Sequence, residues 1–298
     1  MTEAPPGPPP GPRDPADGWV ELPDGRRFWG RAGAAGLLVV APDGAVLLQH
    51  RVGWSHFGGT WGLPGGARHV GESSLGGALR EAHEETGIEL ALLRPRFAVR
   101  LDLGVWTYTT VAVAAPAALP VSVTDRESTA LEWVPADRVS ERDLHPGFAE
   151  AWPLLRPALA EPDPVLVVDA ANVVGSRPDG WWKDRPAAAT RLLESLAVLA
   201  TDGTPVEPGD GALPVVRSWP RIVVVLEGQA SAAPDVPGLE VVRASGSGDD
   251  EVVAQAERFA GSPVTVVTAD RGLVERVRAA GAETTGPSTL LALLSPTR

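Results

Sequence analysis

The chain of 298 residues carries no cysteine and a formal net charge of −12, with 44% apolar and 21% charged residues. Zero cysteine excludes disulfides, thiolate metal sites and cysteine nucleophiles. The acidic balance argues against tight nonspecific binding to duplex nucleic acid, which needs phosphate-neutralising Lys and Arg.

The first 17 residues, rich in Pro and Gly, read as a disordered polyproline-biased tail. They lack the basic start and apolar core of a secretory signal, and no apolar run reaches membrane length, so a soluble cytoplasmic protein is expected. Short strands are expected at 18–22, 26–29 and 35–40, then a Pro-Asp-Gly turn at 42–44 and a paired strand at 45–50. A Gly- and Trp-rich loop runs from Gly53 to Gly66. A helix follows at about 73–86, with Ser73 as N-cap and Gly87 as its stop. Gly76 and Gly77 weaken it by about 1 kcal/mol each relative to Ala, so packing must hold it. Residues 97–115 alternate and predict long strands of a mixed sheet, 131–134 another strand, and 147–159 a closing helix.

The stretch AEPDP (160–164) reads as a linker. Beyond it, short β-branched runs at 165–168, 222–226 and 264–267 alternate with helical stretches at about 186–199, 249–259 and 272–280. Buried parallel strands alternating with helices predict an open α/β sheet. Two domains are therefore expected, at 18–160 and 165–298. Net charges of −7 on residues 1–164 and −5 on 165–298 make neither a basic nucleic-acid module.

The segment 66–88, GARHVGESSLGGALREAHEETGI, carries the densest chemistry. At about 100° per residue, Glu81, Glu84 and Glu85 share one side of the helix, while Leu75, Leu79, Ala82 and Thr86 form a separate stripe. Like charges so placed repel. They suit either a solvated surface or a hard divalent cation such as Mg2+ or Mn2+, which prefers oxygen ligands. Arg80 lies one turn from Glu84. The pattern Gly-x5-Glu-x7-Arg-Glu-Ala-x-Glu-Glu-x-Gly-Ile resembles the Nudix box, with Ala82 departing mildly from a bulky aliphatic position. The resemblance implies an α/β/α sandwich over about 130 residues and divalent-metal hydrolysis of nucleoside diphosphates linked to another moiety. It further implies that Glu81, Glu84, Glu85 and the Gly65 carbonyl bind metal, that Glu72 is an outer ligand, and that Arg80 holds Glu81.

The general base is placed by family members either in the box or on a separate loop, where Glu127 and Glu132 are the candidates. Trp54, Phe57 and Trp61 in the preceding loop suit either base stacking or ordinary packing. His50, His56 and His69 receive no role. A metabolite-sensing module without turnover is the competing class.

In the second half Asp169 follows VLVV, Asn172 comes three residues later, Asp249 and Asp250 open a helix after SGSG, and Asp270-Arg271 follows PVTVVTA. Ligands of open parallel sheets bind beyond the carboxyl ends of strands, where these acids are expected. Singly, Asp249, Asp250 or Asp270 would serve as a helix cap. The pieces VDAANVVG, SGDDEVV and VVTADRGL resemble PIN-like NYN domains, including the YacP-like group, known or suspected metal-dependent ribonucleases. That implies metal binding by Asp169, Asp249, Asp250 and Asp270, with Asn172 supporting phosphate or water. Arg271 and the segment 177–185 (RPDGWWKDR) would then contact RNA. A fold without nuclease activity is the alternative. The sequence leaves substrate identity and oligomeric state open.

Overall fold

The computed structural model describes residues 14–178, 180–206 and 213–295. The N-terminal tail up to residue 13 lies outside them, as does Asp179 of the 177–185 segment. The chain divides into two compact units, Met1–Glu161 with Val206–Arg217, and Pro162–Pro205 with Ser218–Arg298. No helix of the described residues is long and apolar enough to cross a membrane.

In the first unit β1 (Trp19–Glu21) and β2 (Arg27–Trp29) form an antiparallel hairpin. A mixed sheet follows, built on β3 (Ala34–Val40), β4 (Ala45–Arg51), β5 (Trp61–Gly62) and β6 (Gly65–Ala67). After α1 (Ser74–Thr86) the sheet is completed by β7 (Arg94–Asp102), β8 (Thr107–Ala114) and β9 (Ser128–Pro135), and α2 (Pro146–Ala160) closes the run. β3 and β8 run parallel, β7 lies antiparallel on β8, and β4 pairs antiparallel with β9 across a register shift at His50/Arg51.

Alternation puts Leu38 and Val40 of β3 in one core with Phe148, Trp152 and Leu155 of α2. α1 packs on β3, β6 and β8. The neighbouring strand residues point to its side because a strand alternates faces. The weak helix positions have a packing reason. A Cβ on Gly77 would stand 2.9 Å from Arg68 Cγ and 3.1 Å from Glu72 Oε2, so the glycine lets the box loop close on the helix. Ser73 Oγ accepts from Gly76 N–H at 3.0 Å, and Gly87 ends the helix at φ 65°, the left-handed stop the sequence predicts.

The second unit begins with β10 (Val165–Asp169), α3 (Ala170–Gly175) and α4 (Arg185–Asp202). β11 (Thr204–Pro205) precedes residues 206–217, and β12 (Val215–Ser218) ends that excursion. There follow β13 (Arg221–Leu226), β14 (Glu240–Arg243), α5 (Gly248–Arg258), β15 (Val264–Val267), α6 (Arg271–Ala279), β16 (Glu283–Thr285) and α7 (Pro287–Leu294). Five strands form a parallel sheet in the order β14-β13-β10-β15-β16. Leu192, Leu196 and Leu290 of α4 and α7 pack against Val168, Val224 and Val267 on one face. Val252, Leu273 and Val277 of α5 and α6 meet Val167, Val223 and Val266 on the other. The chain reverses its direction across the sheet between β10 and β15, the place where such sheets open a crevice.

The boundary differs from the contiguous 165–298 expected from the sequence. Val206 and residues 213–217 belong with the first unit: Arg100 N–H donates to the Pro214 carbonyl at 3.1 Å, and Leu213 packs on the α2 core. The physical reason is that β7 would otherwise present an open row of backbone groups.

Candidate active site

α1 supplies the acidic side chains, and the turn before it supplies their anchor. Arg80 is the hub. Its Nε and Nη2 each donate at 2.9 Å to the two oxygens of Glu72, Nη1 donates to Glu81 at 2.8 Å and to Glu84 at 3.3 Å, and Nη2 also reaches the Ala67 carbonyl at 3.0 Å. This bidentate pairing holds the Glu72 carboxyl below the usual glutamate range and pushes the Arg80 guanidinium up. Glu72 also accepts from His69 N–H at 2.9 Å. Glu72 is thus bound to arginine, while Glu81, Glu84 and Arg80 form one connected group.

Glu81 rests against Gly66, where a Cβ would stand 2.6 Å from its Oε2. Burial raises its carboxyl, Arg80 opposes that, and the charges of Glu84 and Glu127 add to it. Glu85 is buried at 5% exposure and accepts from Gly65 N–H at 2.8 Å. Gly65, expected to act through its carbonyl, meets Glu85 through its N–H. Any side chain there would collide with the Ala35 carbonyl at 2.4 Å. Burial pushes the Glu85 carboxyl up to about 8, with the Gln49 amide and the Gly65 N–H opposing.

The loop after β8 completes the site. Glu85, Asp125 and Glu127 each place one carboxylate oxygen within 4.8 Å of the others. Burial also raises Glu127, with Arg51 opposing and Asp125 adding. Three carboxylates at close range, hard oxygen donors throughout, fit a divalent cation. Sequence reasoning found Glu127 but missed Asp125, which accepts Glu127 N–H at 3.0 Å and Ser128 N–H at 3.2 Å. It missed Gln49 too, whose signal is a polar residue inside an apolar strand. Tyr108, also missed, is pushed up to about 12 by burial, with the Glu85 and Glu81 charges adding.

Glu132 does not join the cluster. It pairs with Arg142, whose guanidinium lies 5.2 Å over the Trp61 ring. Trp61 is half-buried against His50, whereas Trp54 is exposed. Phe57 is held at φ 55°, exposed, with its ring 4.2 Å from His56 and 4.9 Å from His145. Burial lowers both imidazoles, His145 to about 4.

In the second unit the acids line the carboxyl edge of the sheet. Asp169 is buried and accepts from Asn172 N–H at 3.1 Å and from Thr268 Oγ1 at 3.0 Å. Burial raises its carboxyl, with Asp249 and Glu227 adding. Asp249 is raised by burial and by Asp270. Glu227, at the end of β13 and missed in the sequence, accepts Gly248 N–H at 2.9 Å. Asn172 Oδ1 accepts Ala269 N–H at 2.8 Å, tying two strand ends. Asp270 caps α6 through Leu273 N–H at 2.9 Å, whereas the cap of α5 is Ser247, not an aspartate. Asp250 turns outward to Arg276 at 2.6 Å, and Arg271 is exposed at the start of α6. Among the described residues, the group of three acids close enough to share an ion lies in the first unit. Trp182 is exposed, and Arg185 stacks 5.3 Å over Trp181.

The NUDIX domain family matches residues 30–155. A putative 8-oxo-dGTP diphosphatase 3 of Mycobacterium tuberculosis is 50% identical over 158 residues, covering 50% of this chain and 72% of that protein. A nucleoside triphosphate pyrophosphatase/Nudix hydrolase fusion protein of Bifidobacterium longum is 41% identical over 155 residues, covering 49% of this chain and 32% of its own. The crystal structure of a Nudix hydrolase from M. smegmatis, RenU, is 48% identical, covering 48% of this chain and 95% of that one, at a TM-score of 0.45. The chain belongs to the Nudix family and is a Nudix pyrophosphohydrolase.

Proposed function

We propose that the first unit hydrolyses a pyrophosphate bond of a nucleoside triphosphate or a nucleoside diphosphate derivative, with Mg2+ or Mn2+. The carrying observation is the Glu85–Asp125–Glu127 cluster set beside the arginine-clamped box. Glu81, Glu84 and Glu85 would hold the ion, and Glu72 keeps Arg80 fixed. A bound divalent ion supplies positive charge to the phosphates and lowers the pKa of water. Glu127, raised by burial, takes the proton from the attacking water oxygen. Arg80 keeps Glu81 and Glu84 at one place. The M. tuberculosis relative's name makes an oxidised purine nucleoside triphosphate the first substrate to try.

Pyrophosphate and phosphate release is measured over 8-oxo-dGTP, dGTP, ADP-ribose and a dinucleoside polyphosphate. Glu84→Gln is expected to lower kcat by about a hundredfold or more with unchanged circular dichroism. Full activity in that variant sinks the assignment, and tight binding without turnover across the panel favours a sensor.

For the second unit we infer a PIN-like, metal-dependent RNA-directed domain. Mutual charge effects among Asp169, Asp249, Asp270 and Glu227 at the carboxyl edge support it. Asn172, Arg271 and the Trp181–Arg185 stack offer contacts to backbone and base. Single-stranded RNA cleavage by the full chain with Mn2+, in the Glu84→Gln background, is expected to vanish in Asp169→Asn. An uncut RNA with the parent chain favours a scaffold.

A further inference from the structure

Glu132 has a place in the sheet that its ion pair alone does not explain. On β9 it stands opposite Leu48 of β4, and Val134, two residues on, stands opposite Val46. Leu48, Val46 and Val134 are fully buried in the core that Phe148, Trp152 and Leu155 of α2 complete. Residues paired across an antiparallel ladder share a face, so Glu132 is directed to the α2 side of the sheet. None of the described residues of that core comes from α1, which carries Glu81, Glu84 and Glu85. A carboxylate here continues a buried apolar row with a charge, which is costly unless the charge is used.

The corner around it is aromatic and partly open. Glu132 and Arg142 keep 41% and 33% of their side chains exposed. The Arg142 guanidinium lies over the Trp61 ring, whose centroid is 5.0 Å from that of His50. His145 N–H donates to the Trp61 carbonyl at 2.7 Å, which sets the first turn of α2 beside the corner. Phe57, nearly half exposed, meets the His145 ring edge-on at 4.9 Å. Among the described residues Phe57 is the non-glycine residue in the left-handed region, at φ 55°. Such strain persists only where the surroundings hold it, and it gathers at ligand sites. Aromatic walls around a few polar groups are the composition of a small-molecule pocket.

The Glu132–Arg142 contact joins one oxygen, Oε1, to one nitrogen, Nη2. The second carboxylate oxygen and the other guanidinium N–H groups are not consumed by it, so the pair offers an acceptor beside donors. Guanine presents two adjacent N–H donors, at N1 and N2, next to a carbonyl acceptor at O6. Adenine presents a bare N1 lone pair beside its amino group, which a carboxylate repels. We propose that Glu132, held by Arg142 over the Trp61 ring, is a specificity-determining residue that reads the N–H edge of a guanine base in the substrate nucleotide. This rests on the reading that the first unit takes nucleoside triphosphates. Metal ligation and base reading are then divided between two sides of one sheet, Glu85 on the helix α1 and Glu132 on the α2 side.

The test uses the full chain with Mg2+. Binding of dGMP, dIMP and dAMP is measured by calorimetry, and kcat and KM by pyrophosphate release from dGTP, dITP and dATP. The parent is expected to favour guanine over adenine by about tenfold or more in both assays. Hypoxanthine, which lacks the 2-amino group, is expected to fall between them. Glu132→Gln is expected to weaken dGMP binding about tenfold and to raise KM for dGTP rather than lower kcat, with dAMP affinity within about threefold of the parent. Glu132→Leu, which extends the apolar row of Val134, is expected to act in the same direction and carries the test if Glu132→Gln fails to fold. A parent without guanine preference, or folded variants that weaken both bases alike or neither, overturn the proposal. A parent that prefers dGMP yet hydrolyses none of the triphosphates overturns the hydrolytic reading instead, and the binding ratio still decides the role of Glu132.

Discussion

Glu85 carries a carboxyl raised by burial from its ordinary 4.5 to about 8, and Glu81 and Glu127 are raised in the same direction. A group whose folded value exceeds its unfolded one favours the fold below the unfolded value, and that favour is lost as pH rises through the folded value. The metal-free protein is therefore expected to lose thermal stability between about pH 5 and pH 9. Glu85→Gln flattens that decline. Because a cation binds the ionised form, added Mg2+ raises the melting temperature more at pH 8.5 than at pH 5.5. An equal rise at both pH values would contradict the assignment of Glu85 as a ligand. At this scale the sequence was readable where chemistry is contiguous. Glu72, Arg80, Glu81, Glu84 and Glu85 sit at fixed spacing in a single turn and helix. Asp125 and Gln49 were not readable, because their partners lie about 40 and 79 residues away and each alone looks like an ordinary loop acid or strand residue. Between Glu127 and Glu132 only placement decides, and Arg142 draws Glu132 away.

α1 is the element on which the site depends, and its ends are specified locally. Gly87 sits at φ 65°, where its N–H donates to the His83 carbonyl at 2.8 Å. An alanine in that conformation costs about 1–2 kcal/mol, so Gly87→Ala is expected to lower the melting temperature by several degrees while leaving kcat within about twofold. Chemical denaturation with parallel turnover assays checks this. A large fall in kcat at full stability would mean that the helix end acts on chemistry directly. The helix, the alternating strands and the parallel β-branched runs announced themselves by period. β14, β16 and α7 did not, being three to eight residues long with little room for a period to show. β12 was hidden for another reason. It is separated in sequence from the other first-unit strands, so nothing local marks the partner it pairs with.

At the scale of the whole molecule, the sequence showed that there are two carboxylate-bearing parts but not that the chain visits the first one twice. It leaves after Glu161, returns at Val206 to Arg217, and leaves again. A protease site inserted between Glu161 and Pro162 is therefore expected to yield cut chains that co-elute on size exclusion without denaturant. Separation into two fragments would show that residues 213–217 do not hold their place beside β7. The return also orders events during synthesis. A hydrolase lying wholly upstream of its fused neighbour would finish folding while the neighbour was still being made. Here the backbone of β7 waits for residues more than 110 positions downstream of it, Pro214 to Arg217, to leave the ribosome. The first unit to be translated thus cannot complete its sheet until the second is well under way.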